Sequence, residues 1–280
     1  MSLPPPIVLS FAASDPSGGA GVQADILTLA GMGCHPLTVL TALTVQDTTG
    51  VEDIFVMDAE WVADQARTVL QDMPVQAFKI GMLGSVEIIA AIAEIISDYP
   101  DIPVVLDPVL ASGRGDTFAN EEIIAAMREM LFHQATIITP NSIEARRLAL
   151  DDEDDQEILN LKQSADRLLQ WGCSYVLIKG AHENTPKVVN ILYDTNGMVR
   201  SDSWQRLPGS FHGSGCTLSS AIAASLARGM SIADSVYEAQ EFTWLTLKAG
   251  FRPGMGQHIP DRFFWAEDEK PEENSGNTGG

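Results

Sequence analysis

The stretch QAFKIGMLGSVEIIAAIAEIISDYPDIPVVLDP, residues 76 to 108, contains one complete strand–helix–strand unit. Its two ends, QAFKI (76–80) and PVVLD (103–107), are short and almost continuously apolar, which is typical of strands that are covered on both faces. The segment between them, residues 85–98, is helix-like. Because a strand, a helix and a second strand follow one another, the stretch predicts a right-handed crossover between parallel strands.

The same alternation of apolar runs and helix-like segments continues along most of the chain. Further strands are predicted at residues 7–11, 37–45, 136–139 and 175–179, and further helices at 20–32, 59–71, 120–133, 142–149 and 156–171. Repeated strand–helix–strand units place helices on both faces of a sheet. We therefore predict a single α/β domain over residues 1–265, a three-layer α/β/α sandwich with a mostly parallel central sheet.

Two segments depart from this alternation. In VVNILYDTNGMVRSDSW (188–204), Asn196-Gly197 lies between two strand-like runs, which predicts a type I′ hairpin at an antiparallel edge of the sheet. The segment AEDEKPEENSGNTGG (266–280) has too few apolar residues to offset the entropy lost on ordering. It is predicted to be an acidic, disordered tail.

Composition excludes several classes of partner. The 280 residues include 17 Lys+Arg and 38 Asp+Glu, a formal net charge of −21, which argues against nonspecific binding to nucleic acid or to an anionic membrane. Three widely spaced cysteines favour neither a disulfide framework nor a zinc cluster. The amino terminus lacks a basic start before a long apolar run. We therefore expect a cytoplasmic protein that binds any phosphate through local groups.

Polar residues follow four of the predicted strands. They are Lys79-Ile80-Gly81-Met82, Asp107-Pro108, Pro140-Asn141 with Glu144 one helical turn on, and Lys179-Gly180-Ala181-His182. Taken singly, such residues commonly cap helices or end strands. The carboxyl ends of parallel strands lie at one edge of a sheet, however, and ligands bind above that edge. Four polar strand ends together predict a binding site there.

Glycines precede an alanine-rich helix in GSFHGSGCTLSSAIAASLARG, residues 209–229. Gly213, Ser214 and Gly215 can turn several backbone N–H groups toward one point, and the helix dipole adds positive charge. The segment therefore predicts an anion hole, although glycines that only allow tight packing are the alternative. It is not a Walker A loop, because the chain contains no GxxxxGK[ST].

Cys216 falls in the first turn of this predicted helix. There the helix dipole and nearby cations are expected to lower the thiol pKa from about 8.5, which makes Cys216 a candidate base or nucleophile. A thiol hydrolase with His212 as the partner is a rival interpretation, but the sequence identifies no third, orienting group. A buried, inert thiol is the remaining alternative.

A second glycine motif, ASDPSGGAGVQAD (13–25), follows the first predicted strand and opens a helix. Within it GAGVQA fits the loose dinucleotide pattern GxGxxA. The residues Ser14 to Ser17 lengthen the loop, and no acidic residue closes a second strand about twenty positions further on. These departures argue against dinucleotide binding.

Several motifs together carry a resemblance to a known family. They are SDPSGGAGVQAD (14–25), KIGML (79–83), LDPV (106–109), TPN (139–141) with Glu144, IKGAH (178–182) and HGSGCTLSSAIAA (212–224). In this order they resemble the motifs of the hydroxymethylpyrimidine/phosphomethylpyrimidine kinases of thiamine biosynthesis, and the resemblance runs from about residue 7 to about residue 265. It implies a ribokinase-like fold, a homodimer, and phosphorylation of 4-amino-5-hydroxymethyl-2-methylpyrimidine and then of its monophosphate by ATP with Mg²⁺.

The resemblance also implies roles for individual residues. Cys216 takes the position of the aspartate base of most ribokinase relatives, and Gly213, Ser214 and Gly215 form the anion hole. The residues implied around the pyrimidine are Ala13, Ala20, Asp25, Gln46, Met82 and Val109. Asp107 and Glu144 are implied as metal ligands, while Asn141, Lys179 and His182 are implied as ATP-binding residues.

The chain departs from the usual family pattern at three places. Ala13 and Ala181 stand where glycine is common, and VLASGRGD after Asp107-Pro108 lacks the lysine that some members carry. These changes bear on substrate range and affinity more than on the type of reaction. Glycine-rich Ser112 to Asp116 is predicted to be a mobile flap, with an ordinary surface loop as the alternative.

Two rival functions remain open. The first is a pyridoxal or pyridoxine kinase, because some relatives with the cysteine motif are thought to accept B6 vitamers. Gln46 discriminates against it, since an amide offers both a donor and an acceptor to an aminopyrimidine edge. The second is a non-catalytic protein that binds a vitamin precursor, which would need neither Asp107 nor Glu144.

Overall fold

The computed structural model describes residues 4–111, 118–150 and 159–268. Within them, nine strands form one sheet in the order β3-β2-β1-β4-β5-β6-β7-β8-β9. The strands are β1 (Ile7–Ser14), β2 (His35–Gln46), β3 (Val51–Val56), β4 (Ala77–Ile80), β5 (Val104–Leu106), β6 (Ile137–Ile138), β7 (Tyr175–Ile178), β8 (Lys187–Asp194) and β9 (Gly197–Gln205). Six neighbouring strands are parallel to one another, namely β2, β1, β4, β5, β6 and β7. Strand β3 at one edge and β8 and β9 at the other are added in antiparallel pairings. The mostly parallel sheet is confirmed.

Eight α-helices are found in the described ranges. They are α1 (Gly21–Gly31), α2 (Ala59–Asp72), α3 (Val86–Ser97), α4 (Glu121–Met130), α5 (Ser142–Ala149), α6 (Leu161–Gln170), α7 (Ser214–Ala227) and α8 (Ile232–Lys248), with short 3-10 helices at Phe132–Gln134 and Phe264–Asp268. Local sequence fixes many of their starts: the Ser85 hydroxyl, for example, accepts a hydrogen bond from Ile88 N at the start of α3. Asn160 and Gln163 form a capping box at the start of α6.

The core is divided by the sheet into two layers. Adjacent residues of one strand enter opposite layers, as Val105 and Leu106 of β5 do. Helices α2 to α6 cover one face, and α1, α7 and α8 cover the other. Strands buried on both faces need apolar residues at every position, which is why their sequences do not alternate. The predicted three-layer α/β/α sandwich is confirmed.

The hairpin between β8 and β9 is present, but its predicted turn type is wrong. Asp194 pairs with Gly197, so the two connecting residues are Thr195 and Asn196. A type I′ turn requires positive φ at both central residues, and no described residue other than glycine has positive φ. Instead, the Asp194 carboxylate accepts a hydrogen bond from Asn196 N at 2.7 Å and stabilises the turn.

Strand β3 was not among the predicted strands. Its sequence, VEDIFV, contains two charged residues, and only Val51 and Ile54 are partly buried. An edge strand that is largely exposed lacks the continuous apolar run that identified the central strands. In the ranges that the structure describes, every helix is too short or too polar to cross a bilayer.

One predicted segment and parts of two others lie outside the described residues. They are the flap at Ser112 to Asp116, the first residues of the predicted helix 156–171, and residues 269–280 of the predicted tail. The 3-10 helix Phe264–Asp268 includes the first three residues assigned to that tail. The single domain over residues 1–265 and the disordered tail therefore stay predictions.

Candidate active site

The glycine segment, Gly213–Cys216, lies against the carboxyl ends of the central strands. A Cβ added at Gly215 would be 3.2 Å from Lys179 Nζ and 3.5 Å from Asp107 Oδ2. Asp107 follows β5, and Lys179 follows β7. The fold thus brings the amino end of α7 to the polar rim, by which we mean Asp107, Asn141, Glu144 and Lys179.

The amino end of α7 presents free backbone donors. Gly213 has φ 77°, a left-handed conformation that glycine adopts without strain, and a Cβ there would overlap Gly19 O. Thr217 N donates to Gly213 O at 2.9 Å. Within the described chain, the N–H groups of Ser214, Gly215 and Cys216 have no hydrogen-bond acceptor. Such N–H groups and the helix dipole attract an anion.

Asp107 and Lys179 form a nearly buried ion pair at this position. Lys179 Nζ lies 2.9 Å from Asp107 Oδ1, and the side chains are 13% and 4% exposed. Asp107 also accepts hydrogen bonds from Thr139 Oγ1 at 3.1 Å and from Ser219 Oγ at 3.4 Å. Burial by itself lowers the Lys179 pKa, but Asp107 and Glu144 outweigh it and the pKa is raised. Lys179 therefore stays cationic at neutral pH.

Asn141 and Glu144 form a capping box at the start of α5. Asn141 Oδ1 accepts from Glu144 N at 2.9 Å, and Glu144 Oε2 accepts from Asn141 N at 2.8 Å. Burial raises the pKa of Glu144 to about 7; Lys179 opposes that shift and Asp107 adds to it. Glu144 is therefore less readily ionised than an exposed glutamate.

These two carboxylates fit one kind of metal site. Among the described residues there is no group of three or more His, Cys, Asp or Glu side chains placed to hold an ion. Mg²⁺, however, is usually bound by one or two carboxylates together with water and phosphate oxygens. Asp107 and Glu144, which are 3% and 8% exposed, match that donor set.

Cys216 is partly exposed in the first turn of α7, but the expected lowering of its pKa is wrong. Burial raises the pKa of the thiol, and Asp107 and Asp25 raise it further, while Lys79 and the Gly21 backbone lower it. The helix end and nearby cations favour the thiolate, but desolvation and two carboxylates brought close by the fold have the larger effect. The thiol is therefore mainly neutral near neutral pH.

His212 does not pair with Cys216. Its Nε2 lies 2.8 Å from Asp15 Oδ2, and Asp15 is 1% exposed. Asp15 also accepts from Ser17 N at 2.8 Å and from Ala20 N at 2.7 Å. Although burial alone raises the Asp15 pKa, these hydrogen bonds hold it well below its usual range. Because His212 is bound to Asp15, the arrangement offers no support for a thiol hydrolase.

The residues implied around the pyrimidine fall into separate places. Ala13, Met82 and Val109 meet in one apolar cluster, which also contains Ala42, Ile54 and Phe118. Ala20 is at the start of α1. Gln46 lines a cavity of about 370 Å³ with Pro16, Ser17, Asp47, Thr48, Thr49, Pro253, Gly254 and Met255.

Asp25 lies beneath the surface instead of at it. Its side chain and that of Lys79 are both fully buried, with Lys79 Nζ 2.9 Å from Asp25 Oδ2. Asp25 also accepts hydrogen bonds from the hydroxyls of Ser10 and Ser220. Burial by itself lowers the Lys79 pKa, but Asp25, Cys216 and Asp107 together raise it. The Asp25–Lys79 pair therefore belongs to the buried interior next to the site.

His182 is exposed in the loop after β7. Its pKa is lowered by partial burial and by the cations of Lys179 and Arg206. Arg206 fixes this loop, because its guanidinium donates to the backbone oxygens of Ala181, Glu183 and Thr185 at 2.8, 2.9 and 3.2 Å. The loop therefore holds His182 near Lys179.

Sequence reasoning missed two groups that shape the glycine segment. The first is the Asp15–His212 pair, for which the Asp-Pro-Ser-Gly order was a signal, since aspartate there commonly accepts backbone hydrogen bonds in a turn. The second is Arg262, which donates to Gly18 O, Gly19 O and Thr217 Oγ1. Nothing in the surrounding sequence, PDRFF, resembles a binding motif.

Comparisons of sequence assign the chain to one family. The family model described as phosphomethylpyrimidine kinase matches residues 15–261. A hydroxymethylpyrimidine/phosphomethylpyrimidine kinase of Streptomyces coelicolor is 39% identical over 259 residues, which cover 90% of this chain and 92% of the relative.

Solved structures show the same fold. A phosphomethylpyrimidine kinase of Clostridium difficile has a TM-score of 0.72 at 34% identity and covers 85% of this chain and 97% of its own. A pyridoxal kinase of Bacillus subtilis in an ADP complex has a TM-score of 0.82 at 30% identity, with 94% and 99% coverage. The predicted ribokinase-like architecture is thereby confirmed.

Proposed function

The chain belongs to the phosphomethylpyrimidine kinase family and is a phosphotransferase, and on this basis we propose that it phosphorylates 4-amino-5-hydroxymethyl-2-methylpyrimidine and then the monophosphate, in thiamine biosynthesis. The phosphoryl donor is ATP. The observation that carries the proposal is the position of the free N–H groups of Ser214 to Cys216 beside the Asp107–Lys179 pair. Donors and a cation converge there where a migrating phosphoryl group needs them.

The glycine segment stabilises the phosphoryl group during transfer. In the transition state, negative charge spreads over the oxygens of that group, and little covalent chemistry is required of the protein. The N–H groups of Ser214, Gly215 and Cys216 donate to those oxygens without rearrangement, because the α7 backbone already fixes them. Fixed donors in a partly dehydrated site stabilise such charge more strongly than water does.

Lys179 provides the positive charge next to these donors. Its ammonium is held by Asp107 and therefore cannot swing away from the site. Because the ion pair already restrains the lysine side chain, little of its conformational entropy remains to be lost when a phosphate binds. The loop of residues 180–185, fixed by Arg206, keeps His182, which we propose contacts ATP, near Lys179.

Cys216 accepts the proton of the substrate hydroxyl in this proposal. Phosphoryl transfer requires loss of that proton only late, so that a weak base is sufficient. Because burial raises the thiol pKa, only a small thiolate fraction is present near neutral pH. Turnover should therefore follow the thiolate fraction and increase toward alkaline pH.

Mg²⁺ is the proposed metal, held by Asp107 and Glu144. When bound, the ion neutralises phosphate charge and orients the triphosphate. Asp107 and Glu144 follow β5 and begin α5, and Asn141 holds Glu144 through the capping box. Removal of divalent cations with a chelator should abolish turnover and leave the fold intact, since the described fold is held by its own cores.

A pyridoxal kinase is the second candidate function. It is favoured by the TM-score of 0.82 to the Bacillus subtilis enzyme, which is higher than the 0.72 to the Clostridium difficile phosphomethylpyrimidine kinase. The sequence relatives favour the pyrimidine, and Gln46 offers an amide that can pair with an aminopyrimidine.

We extend the proposal to a homodimer in the cytoplasm. Leu43, Val45 and Phe55 are exposed apolar residues at the β2–β3 edge of the sheet, with 44%, 56% and 67% exposure. Clustered exposed apolar side chains on an edge strand support association with another protein surface. The three cysteines are free, which suits a reducing compartment.

A comparison of two substrates tests the proposed function. The purified protein is incubated with ATP, Mg²⁺ and either the hydroxymethylpyrimidine or pyridoxal, and kcat/KM is measured for each. We expect kcat/KM for the pyrimidine to be higher by at least about tenfold, corresponding to one correctly paired polar group. A higher kcat/KM for pyridoxal would contradict the pyrimidine assignment, and no turnover of either would exclude both.

A further inference from the structure

The guanidinium of Arg262 is buried behind the amino end of α7. The residue is 2% exposed, although arginine is mostly exposed in folded proteins. Nε donates to Thr217 Oγ1 at 3.1 Å, and the terminal nitrogens donate to Gly18 O at 3.4 Å and Gly19 O at 2.6 Å. One side chain thereby joins the turn at Gly18 and Gly19 to the first turn of α7.

Two of these acceptors contact Gly213, where the glycine segment begins. Gly19 O lies so close to Gly213 that a Cβ at position 213 would overlap it. Thr217 Oγ1, which accepts from Arg262, donates in turn to Gly213 O at 2.9 Å. The position of Gly213, and with it the direction of the free N–H groups that follow, therefore depends on Arg262.

Arg262 has no bound carboxylate in the part of the chain that the structure describes. Its hydrogen-bond acceptors are two carbonyls and a hydroxyl. Burial lowers the pKa of Arg262 to about 10, although the charges of Cys216, Asp25, Asp15 and Asp261 act against this without a hydrogen bond to any of them. A buried cation normally requires a partner, because desolvation costs several kcal/mol. One of its acceptors, Thr217 Oγ1, belongs to the first turn of α7, the same turn that carries the free N–H groups.

We propose that Arg262 is a positioning residue whose charge also raises the positive potential at the amino end of α7. It holds Gly213 through Gly19 and Thr217, and it stabilises negative charge on the Cys216 sulfur and on the phosphoryl group in transfer. Charges in a buried environment are screened far less than those at the surface. The part concerning the phosphoryl group rests on the proposed function, whereas the part concerning Cys216 does not.

The test measures how fast Cys216 reacts with iodoacetamide when no nucleotide is present. The reaction requires the thiolate, and mass spectrometry distinguishes Cys216 from the buried Cys34 and Cys173. Two variants, Arg262→Met and Arg262→Gln, remove the charge, and Arg262→Lys keeps it. At one mildly alkaline pH we expect alkylation to slow by about tenfold in the neutral variants, the effect of one unit of thiol pKa. In Arg262→Lys the rate should stay within about threefold of wild type.

A matched control removes a cation elsewhere. Arg67→Gln breaks an exposed pair with Glu94 and should leave the alkylation rate unchanged. Circular dichroism identifies which variants are folded, and one folded neutral variant is sufficient. A wild-type alkylation rate in a folded neutral variant would overturn the proposal, as would equal slowing in Arg262→Lys.

Turnover separates the two parts of the inference. In the neutral variants we expect kcat to fall by about tenfold or more, with the KM for the pyrimidine changed by less than about threefold, because Arg262 touches no substrate. Unchanged kcat in a folded neutral variant would overturn the part concerning the phosphoryl group. Should the wild-type protein phosphorylate no pyrimidine, the proposed function fails, while the alkylation experiment still decides the role of Arg262 at Cys216.

Discussion

Two aspartate–lysine pairs of equal length lie at the same end of the sheet. In both, the lysine Nζ is 2.9 Å from a carboxylate oxygen. In the lower pair, Asp25–Lys79, both side chains are fully buried. In the rim pair, Asp107–Lys179, Lys179 keeps 13% of its side chain exposed and lies beside Gly215.

The surroundings give these pairs different roles. The Asp25 carboxylate is satisfied by Lys79 and by the hydroxyls of Ser10 and Ser220, so that it has little capacity for a ligand. The rim pair adjoins free N–H groups and the buried Glu144, whose pKa is raised by that burial. The same two residue types therefore form a closed, fully buried pair in one place and, in the other, a partly exposed pair that we propose binds ligand.

Removal of the lower lysine should produce the largest effect on stability. Lys79→Met leaves the Asp25 carboxylate buried without its cation, and breaking one partner of a buried pair costs about 3–5 kcal/mol. The free energy of unfolding is measured by urea denaturation. Arg67→Met, which breaks an exposed pair, is the control and should cost less than about 1 kcal/mol. If Lys79→Met lowered the free energy of unfolding by as little as the control does, the Asp25–Lys79 pair would have no special role in stability.

The rim lysine should give the opposite result. Lys179→Met removes the cation next to the glycine segment, and we expect kcat to fall by at least about a hundredfold, or roughly 2.7 kcal/mol of activation free energy. The free energy of unfolding should change much less than in Lys79→Met, because the site is open on one side. Lys187→Met, at an exposed lysine, is the control for turnover. Retained turnover in Lys179→Met would remove the rim pair from the mechanism.

Cys216 links the two pairs electrostatically, and its pH dependence sharpens the comparison. In the proposed mechanism the thiolate is the active form. Because the thiol pKa is raised, wild-type kcat should increase with pH through the range above the ordinary cysteine value of about 8.5. Cys216→Ala should reduce kcat by about a hundredfold, change ATP binding little, and abolish this increase.

An aspartate at the same position provides the matched variant. Cys216→Asp should retain activity and lose the alkaline increase, because a carboxylate is already ionised near neutral pH. Stopped-assay rates over a pH series distinguish the variants. A wild-type rate in Cys216→Ala would mean that another group accepts the proton.

The smallest expected effect comes from Gly215→Ala. The added methyl would lie 3.2 Å from Lys179 Nζ and 3.5 Å from Asp107 Oδ2, so the rim pair must shift by a few tenths of an ångström. We expect the KM for ATP to rise by about three- to tenfold. Stability should be unchanged or slightly higher, since alanine favours a helix over glycine by up to about 1 kcal/mol. Lower stability with unchanged KM would place Gly215 in the core and not at the site.

Sequence reasoning was successful for the central sheet because buried parallel strands are apolar at every position. It identified the runs that form β4 and β5 and the helix between them within one or two residues. It missed β3, since the largely exposed VEDIFV has no continuous apolar run. It assigned the wrong turn to Asn196-Gly197, because the Asp194 side chain stabilises an alternative to type I′.

The arrangement of the site was harder to predict from the sequence. Strand ends indicated where Asp107, Asn141 and Lys179 would meet, because position along a parallel strand fixes the edge. Depth could not be predicted from sequence: Asp25, implied around the pyrimidine, is fully buried in its pair with Lys79. The direction of the Cys216 pKa shift depends on burial and on carboxylates distant in sequence, and Arg262 becomes visible only when residues 18, 217 and 262 come together.

The backbone amide of Gly215 provides the most direct test of the central claim, that the amino end of α7 binds the transferred phosphate. The amide ¹H and ¹⁵N resonances of ¹⁵N-glycine-labelled protein are recorded during titration with Mg²⁺ and a non-hydrolysable ATP analogue. We predict a downfield ¹H shift for Gly215 on saturation, with Gly33, in open space after α1, unchanged. A Gly215 resonance that stays in place while the nucleotide saturates the protein would contradict the account.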